Sequence, residues 1–182
     1  LIKANTKAIV CMHASNVFGC VFPIKEIGKL AHDNGIIFIV DAAQSAGVLD
    51  IDADRDNIDI LCTPGHKGLY APMGSGFIAV GDGITLDTII EGGTGSMSMI
   101  LSQPKDLPDR LESGTLNNVA ICGLAAGIDF VNSKKIDNIY NHEKSLMNMV
   151  YKEMSKNENV TLYTPDFKDA FSAPILSFNF KD

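Results

Sequence analysis

The sequence has 182 residues, 46% hydrophobic and 20% charged, the balance of a globular chain long enough to bury a core. Its formal net charge of −7 excludes a general nucleic-acid binder, because no basic surplus is present to neutralise phosphates. No apolar stretch reaches the roughly 20 residues that span a bilayer and no signal peptide is visible, so no membrane partner and a cytoplasmic location are expected.

The chain opens on Leu1 rather than methionine and stops as a strand begins. Both ends therefore read as cuts in a longer protein. Ala8–Met12 is a short apolar run, the pattern of a strand buried on both faces, and it ends in the polar loop His13-Ala14-Ser15-Asn16. Pro23 then opens a helix whose apolar stripe is Ile24, Ile27, Leu30 and Ala31, closed by Gly35. Strand Ile36–Val40 runs into Asp41-Ala42-Ala43-Gln44-Ser45. Asp50, Asp52 and Asp54 imitate a calcium loop, but Arg55 stands where that loop needs glycine and Leu61 where it needs glutamate. The segment 50–56 reads as a solvated turn.

Strand Ile58–Cys62 leads into Gly65-His66-Lys67-Gly68, and Gly76–Val80 forms a further strand. Residues 92–118, rich in Gly, Ser, Thr and Met, make a loop too long to be a simple connection. Two helices follow. Asn117–Asn132 is apolar nearly all round, which predicts burial. Asp137–Lys156 carries one stripe of Ile139, Leu146, Met147, Val150 and Met154. A polar linker at Pro165–Asp169 and a strand from Ser172 end the chain. Of the four cysteines, Cys11, Cys62 and Cys122 read as small core residues and Cys20 as the more exposed; none forms the CxxC pair of a metal cage.

This alternation is that of an α/β protein with a mostly parallel sheet, and such sheets bind ligands outside the carboxyl ends of their strands. Three strands in succession end in polar groups: Asn16, then Asp41 with Gln44, then His66 with Lys67. A lysine between glycines at the end of an apolar strand is poorly placed to be a solvated surface charge. As a free amine it can form a Schiff base with an aldehyde, and partial burial lowers its pKa toward that form. A carboxylate such as Asp41 keeps a pyridine nitrogen protonated, which makes the ring an electron sink. One cofactor has both an aldehyde and a basic ring nitrogen, namely pyridoxal phosphate. Gln44 suits its phenolate oxygen. Asn16 suits that oxygen or the substrate, and His66 the phosphate or the ring. Taken singly, each residue has an ordinary reading as a turn, cap or structural group. The joint pattern decides. The GxGxxG turn of a dinucleotide site and the GxxxxGK[ST] loop of a nucleotide-phosphate site are both absent.

Four segments carry a resemblance: HASNVFG at 13–19, DAAQSAG at 41–47, GHKGLYAPMGSG at 65–76 and LESGTLNN at 111–118. In order and spacing the chain resembles the class V aminotransferase group of fold-type I pyridoxal-phosphate enzymes, most closely its cysteine desulfurase and selenocysteine lyase branch. The resemblance implies a three-layer sandwich of the aspartate aminotransferase type, incomplete here. Residues 1–133 would be the C-terminal part of the cofactor-binding large domain, and 134–182 a connecting helix with the start of a small domain. Lys67 would carry the cofactor imine and shuttle the substrate Cα proton. Asp41 would pair with the ring nitrogen, Gln44 with the phenolate oxygen, and Asn16 would sit near that oxygen and the substrate carboxylate. His66 would help hold the phosphate, and Thr115 would reach the phosphate of a neighbouring subunit in a homodimer.

Pro64 stands where the family has a serine, so Thr63 is the hydroxyl left to serve the phosphate there. The family's nucleophilic cysteine and substrate-binding arginine lie in regions this chain does not include. The implied reaction removes sulfur or selenium from cysteine or selenocysteine, leaving alanine, with a sulfur-acceptor protein as a possible partner. An aminotransferase or β-lyase is the alternative on the same scaffold. A cofactor-free dimerisation or scaffold fragment is the alternative of another class, and the intact Asp41, Gln44 and Lys67 speak against it.

Overall fold

Three apolar runs lie side by side in parallel, and a fourth returns antiparallel beside them. In the computed structural model, which describes residues 1–95, 97, 99–164, 166 and 172–181, these are β1 (Ala8–Met12), β2 (Ile37–Asp41), β3 (Ile60–Pro64) and β4 (Gly76–Val80), in that spatial order. The register pairs Met12 with Asp41, Asp41 with Cys62, and Cys62 with Ile78. The polar residues that follow β1, β2 and β3 therefore emerge at one end of the sheet. The mostly parallel sheet expected from the sequence is what forms. β2 and β3 each sit one or two residues later than their apolar runs suggest, and Pro64 is accommodated as the last residue of β3.

The connection between β1 and β2 contains α1 (Ile24–Asp33). Pro23 occupies its N-cap, and the end is closed by Gly35 N–H to the His32 carbonyl (3.0 Å) and Ile36 N–H to the Ala31 carbonyl (3.0 Å), with Gly35 at φ +65°. This double closure needs a left-handed residue, the role glycine fills without a Cβ penalty. His32 Nε2 lies 3.1 Å from Asp59 Oδ2, which accepts the Phe38 N–H at 2.7 Å, so the helix end is tied to the sheet.

The core lies between α1 and one face of the sheet. Phe38 and Val40 are wholly buried against Ile24, Ala31, Ile36 and Ile58, with Ile9, Cys11 and Leu61 packed around them. Burying a side chain such as Phe38 contributes about 1.5–3 kcal/mol. The opposite face is covered less. Val10 remains 67% exposed and Ile78 55%, so the expectation that β1 is buried on both faces does not hold.

The segment before β3 is more than a solvated turn. Asp56 is buried, accepts from the Asp52 N–H at 3.2 Å and from Arg55 Nη2 at 2.8 Å, and Arg55 also reaches Asp50. After β4 the described residues form no helix or strand until 118, yet the long loop is organised. Buried Gln103 accepts the Gly92 N–H and donates to the carbonyls of Asp109 and Glu112.

Helix α2 (Asn118–Lys134) is capped by the Asn117 side chain, which accepts the Ala120 N–H at 3.2 Å. It buries only Ala120, Leu124, Gly127 and Val131 and leaves Val119 81% exposed, so its all-round apolar surface is not matched by all-round burial. Helix α3 (Ile136–Met154) buries only Ile139 of its predicted stripe. A two-stranded antiparallel sheet follows, made of β5 (Val160–Leu162) and β6 (Phe178–Phe180). β5 escaped the sequence reading, being three residues of mixed polarity. Ser172 makes an isolated bridge to Cys20 rather than starting a strand. The polar linker at 165–169 falls outside the described residues except for Asp166.

Candidate active site

The two motif loops are joined by their glycines. Gly47 has φ +81°, and a Cβ there would stand 2.1 Å from the Gly68 carbonyl oxygen. A Cβ on Gly68 would stand 2.3 Å from the Ala46 carbonyl oxygen. The turn that follows β2 and the lysine loop that follows β3 therefore meet backbone to backbone. On its other side the lysine loop rests on α2. A Cβ on Gly127 would be 2.0 Å from the Leu69 carbonyl oxygen, and one on Gly123 would be 2.4 Å from the Pro72 ring. The loop closes on itself through Ala71 N–H to the Gly65 carbonyl (2.9 Å) and Gly65 N–H to the Ser75 carbonyl (2.8 Å).

This clamp brings Gln44 and Lys67 to one cavity of about 240 Å³, lined also by Val48, Tyr70, Glu143 and Ile175. Lys67 is an exposed residue rather than the partly buried one the sequence suggested, and His66 beside it is exposed too. The reason is local: the glycine contacts consume the loop's backbone and leave the side chains at its rim. Asp41 ends β2, and its Oδ1 accepts the Ala43 N–H at 2.8 Å, which fixes the start of the turn carrying Gln44. Asp41 lines a different and larger cavity, about 560 Å³, with Cys62, Phe77, Ile78, Leu107 and Glu112. The structure thus gathers Gln44 and Lys67 on one cavity wall, with Asp41 on the neighbouring strand end and opening to another cavity.

The first motif loop is tightly wound. Ser15 Oγ accepts the N–H groups of Val17 and Phe18, and the Ser15 N–H reaches the Cys20 carbonyl at 2.9 Å. Asn16 sits exposed at its tip. The loop's root is fastened to β2 by the His13 N–H, which donates to the Asp41 carbonyl at 2.9 Å. His13 itself is buried with Nδ1 lacking a hydrogen-bond partner among the described residues, and burial holds its pKa below the ordinary range, against the pull of Asp56. Thr115 is exposed in the long loop and lines neither cavity.

Two residues at the lysine cavity escaped the sequence reading. Tyr70 has φ +55°, an unusual conformation for a bulky residue, and packs edge-on against Phe130 with ring centroids 5.1 Å apart. Glu143 arrives from α3. No local sequence signal points to either, because one depends on a backbone angle and the other on helix placement. The cysteines also differ from expectation. Cys122 is the exposed thiol, while Cys11, Cys20 and Cys62 are half-buried. Burial pushes the thiols of Cys11 and Cys62 up, and the Asp41 charge adds to the effect at Cys62.

A mostly parallel sheet thus presents an amine, an amide and a carboxylate at the carboxyl ends of its strands. The sequence model of the Aminotransferase class-V family matches residues 1–182, and the chain belongs to that family. A probable cysteine desulfurase from Methanothermobacter thermautotrophicus is 33% identical over 98% of this chain and 45% of its own length. A cysteine desulfurase from an Enterobacter species is 34% identical over 98% of the chain and 44% of its own length. Among solved structures, the apo cysteine desulfurase of Thermococcus onnurineus superposes with a TM-score of 0.75 at 32% identity, covering 95% of this chain and 44% of that one. An Escherichia coli cysteine desulfurase gives a TM-score of 0.84 at 22% identity over 98% of this chain and 44% of its own, a likeness of fold. The chain spans less than half the length of these relatives.

Proposed function

We propose that the protein to which this chain belongs is a pyridoxal-phosphate enzyme that removes sulfur or selenium from L-cysteine or selenocysteine, leaving alanine. What carries the reading is the glycine-to-glycine contact that sets Gln44 and Lys67 on one cavity, with Asp41 three residues before Gln44 at the end of β2 and opening to the neighbouring cavity. The donor set suits the cofactor chemically: an amine for the aldehyde, a carboxylate for the ring nitrogen and an amide for the phenolate oxygen. When bound, the cofactor supplies an electron sink for the bonds at the substrate Cα.

The chain's own groups have distinct tasks in this reading. Lys67 Nζ holds the cofactor and moves the Cα proton. Asp41 keeps the ring nitrogen protonated, Gln44 orients the ring, Asn16 serves the phenolate oxygen and the substrate carboxylate, and His66 with Thr63 serves the phosphate. A cysteine and an arginine beyond this chain accept the sulfur and bind the substrate carboxylate. The sulfur then passes to an acceptor protein. Residues 1–133 form the second half of the cofactor-binding domain, and 134–182 lead into a smaller one.

The protein acts as a homodimer in this reading, with Thr115 serving the partner's phosphate. The long loop supports it by holding Ile89, Met99 and Leu101 almost fully exposed, an apolar surface that asks for a cover. Four unpaired cysteines suit the reducing cytoplasm.

The test is made on the full-length protein. Incubation with pyridoxal phosphate and then borohydride should leave one phosphopyridoxyl group on the peptide containing Lys67, and Lys67→Ala should abolish it. An adduct on another lysine overturns the assignment. Alanine appearing from cysteine, with no keto acid, separates desulfuration from transamination.

A further inference from the structure

The cavity that receives Lys67 has one acid in its wall. Glu143 lines it with Gln44, Val48, Lys67, Tyr70 and Ile175, and no part of the proposed cofactor chemistry uses it. Its place is fixed one helical turn earlier. Tyr140 Oη donates to the Ser172 carbonyl at 3.1 Å, and the Ala173 N–H donates to the Gly19 carbonyl at 2.7 Å. The 172–175 segment is thereby held between α3 and the first motif loop, and Glu143 stands on a firm support beside it. Among the described residues neither the Glu143 carboxylate nor the Lys67 ammonium has a hydrogen bond or an ion pair, although the Lys67 carbonyl accepts the Tyr70 N–H at 3.0 Å. An acid without a cation and an ammonium without an anion thus share one small cavity. Burial pushes the Glu143 carboxyl up, against the pull of His142 beside it.

We propose that Glu143 is a positioning residue for Lys67: its carboxylate takes the Lys67 ammonium into this cavity whenever the amine is not bonded to the cofactor. The inference rests on the assignment of Lys67 made above. Lysine's four-carbon stem lets the charge swing inward from its exposed position. The step makes and breaks no covalent bond, and the proton stays on Lys67. Pairing favours the charged form of each partner, so each should titrate as if the other mattered.

Tyr70, His142 and Lys134 line an adjoining cavity with Glu143, and the Lys134 ammonium stands over the Phe130 ring, 5.7 Å from its centroid. The next residue, Lys144, stands over the Tyr140 ring at 5.3 Å. Lys67 is the ammonium of the Gln44–Glu143 cavity.

The experiment is pulse labelling of full-length, cofactor-free protein with an amine-reactive anhydride across pH 7–10, read peptide by peptide. In Glu143→Gln, Lys67 should label about tenfold faster at neutral pH, because a nearby opposite charge no longer favours its protonated form. Lys134→Met should leave the Lys67 profile in place. An unchanged Lys67 profile in Glu143→Gln overturns the proposal.

A second measurement needs no change at Glu143, in case that variant does not fold. The Glu143 carboxyl is titrated by carbon NMR in the parent and in Lys67→Met, a change at an exposed position. Coupling is reciprocal, so the Glu143 midpoint should rise in Lys67→Met by the amount the Lys67 midpoint falls in Glu143→Gln. A midpoint that stays put is equally fatal. Borohydride trapping separates the two readings. An adduct on Lys67 without coupling sinks the pairing and leaves the proposed function standing; coupling without an adduct sinks the function and the catalytic meaning of the pair.

Discussion

Gly47 and Gly68 touch backbone to backbone, with 2.1 Å between the site of a Gly47 Cβ and the Gly68 carbonyl oxygen. One turn carries Gln44, the other Lys67, and this contact makes a single rim of them. No side chain larger than hydrogen fits at either position, so the spacing of the two motif loops is written in the absence of two β-carbons.

Gly47→Ala should therefore be far costlier than its backbone angle alone requires. Gly83 offers the control, since it has the same φ of +81° with nothing within 4 Å of a Cβ. Gly83→Ala should lose about 1–2 kcal/mol, the cost of a left-handed residue. Gly47→Ala should lose about 2–5 kcal/mol, because overpacking adds to that cost. Urea denaturation midpoints of the two variants check this. Equal losses would mean that the two loops part without penalty.

Acid should unfold the protein in two stages. Burial holds the His13 pKa below its ordinary value, so the unfolded chain binds the proton more readily. Stability from this source is whole above about pH 6.5 and falls as the pH drops toward the lower folded value. Asp56 is also depressed, chiefly by the side-chain hydrogen bonds from Arg55, so its contribution is whole above about pH 3.9 and is lost below that. Denaturation midpoints measured from pH 8 to pH 3 should show both stages. His13→Asn should remove the first, and Arg55→Ala should shrink the second.

Thiol reactivity should rank the cysteines by environment. Cys122 is exposed on α2, while burial pushes the Cys11 and Cys62 thiols up. A chromogenic disulfide at pH 8 should titrate Cys122 first and Cys11 and Cys62 at least about tenfold more slowly, since the thiolate is the reacting form. Asp41→Asn should speed Cys62 and leave Cys11 alone. Equal speeding of both would point to general loosening instead of the charge at position 41.

The sequence by itself determined the four strands of the main sheet, the three helices and their order, but not the small sheet of β5 and β6. Apolar runs such as Ile37–Val40, the Pro23 start and Gly35 stop of α1, and the polar residues after each strand are local signals, and local backbone preference reads them. It also showed that Asp41, Gln44 and Lys67 fall at or just after the ends of strands that a parallel sheet must align. Tertiary structure alone decided the exposure of α2 and of the opposite sheet face, the division of Asp41 and Lys67 between two cavities, and the arrival of Glu143 in the wall of the cavity that Lys67 lines. Those depend on contacts between residues far apart in the chain. The left-handed Tyr70 is of the same kind, since a loop clamped between Gly47 and Gly127 sets a backbone angle that the residue's own preference would refuse.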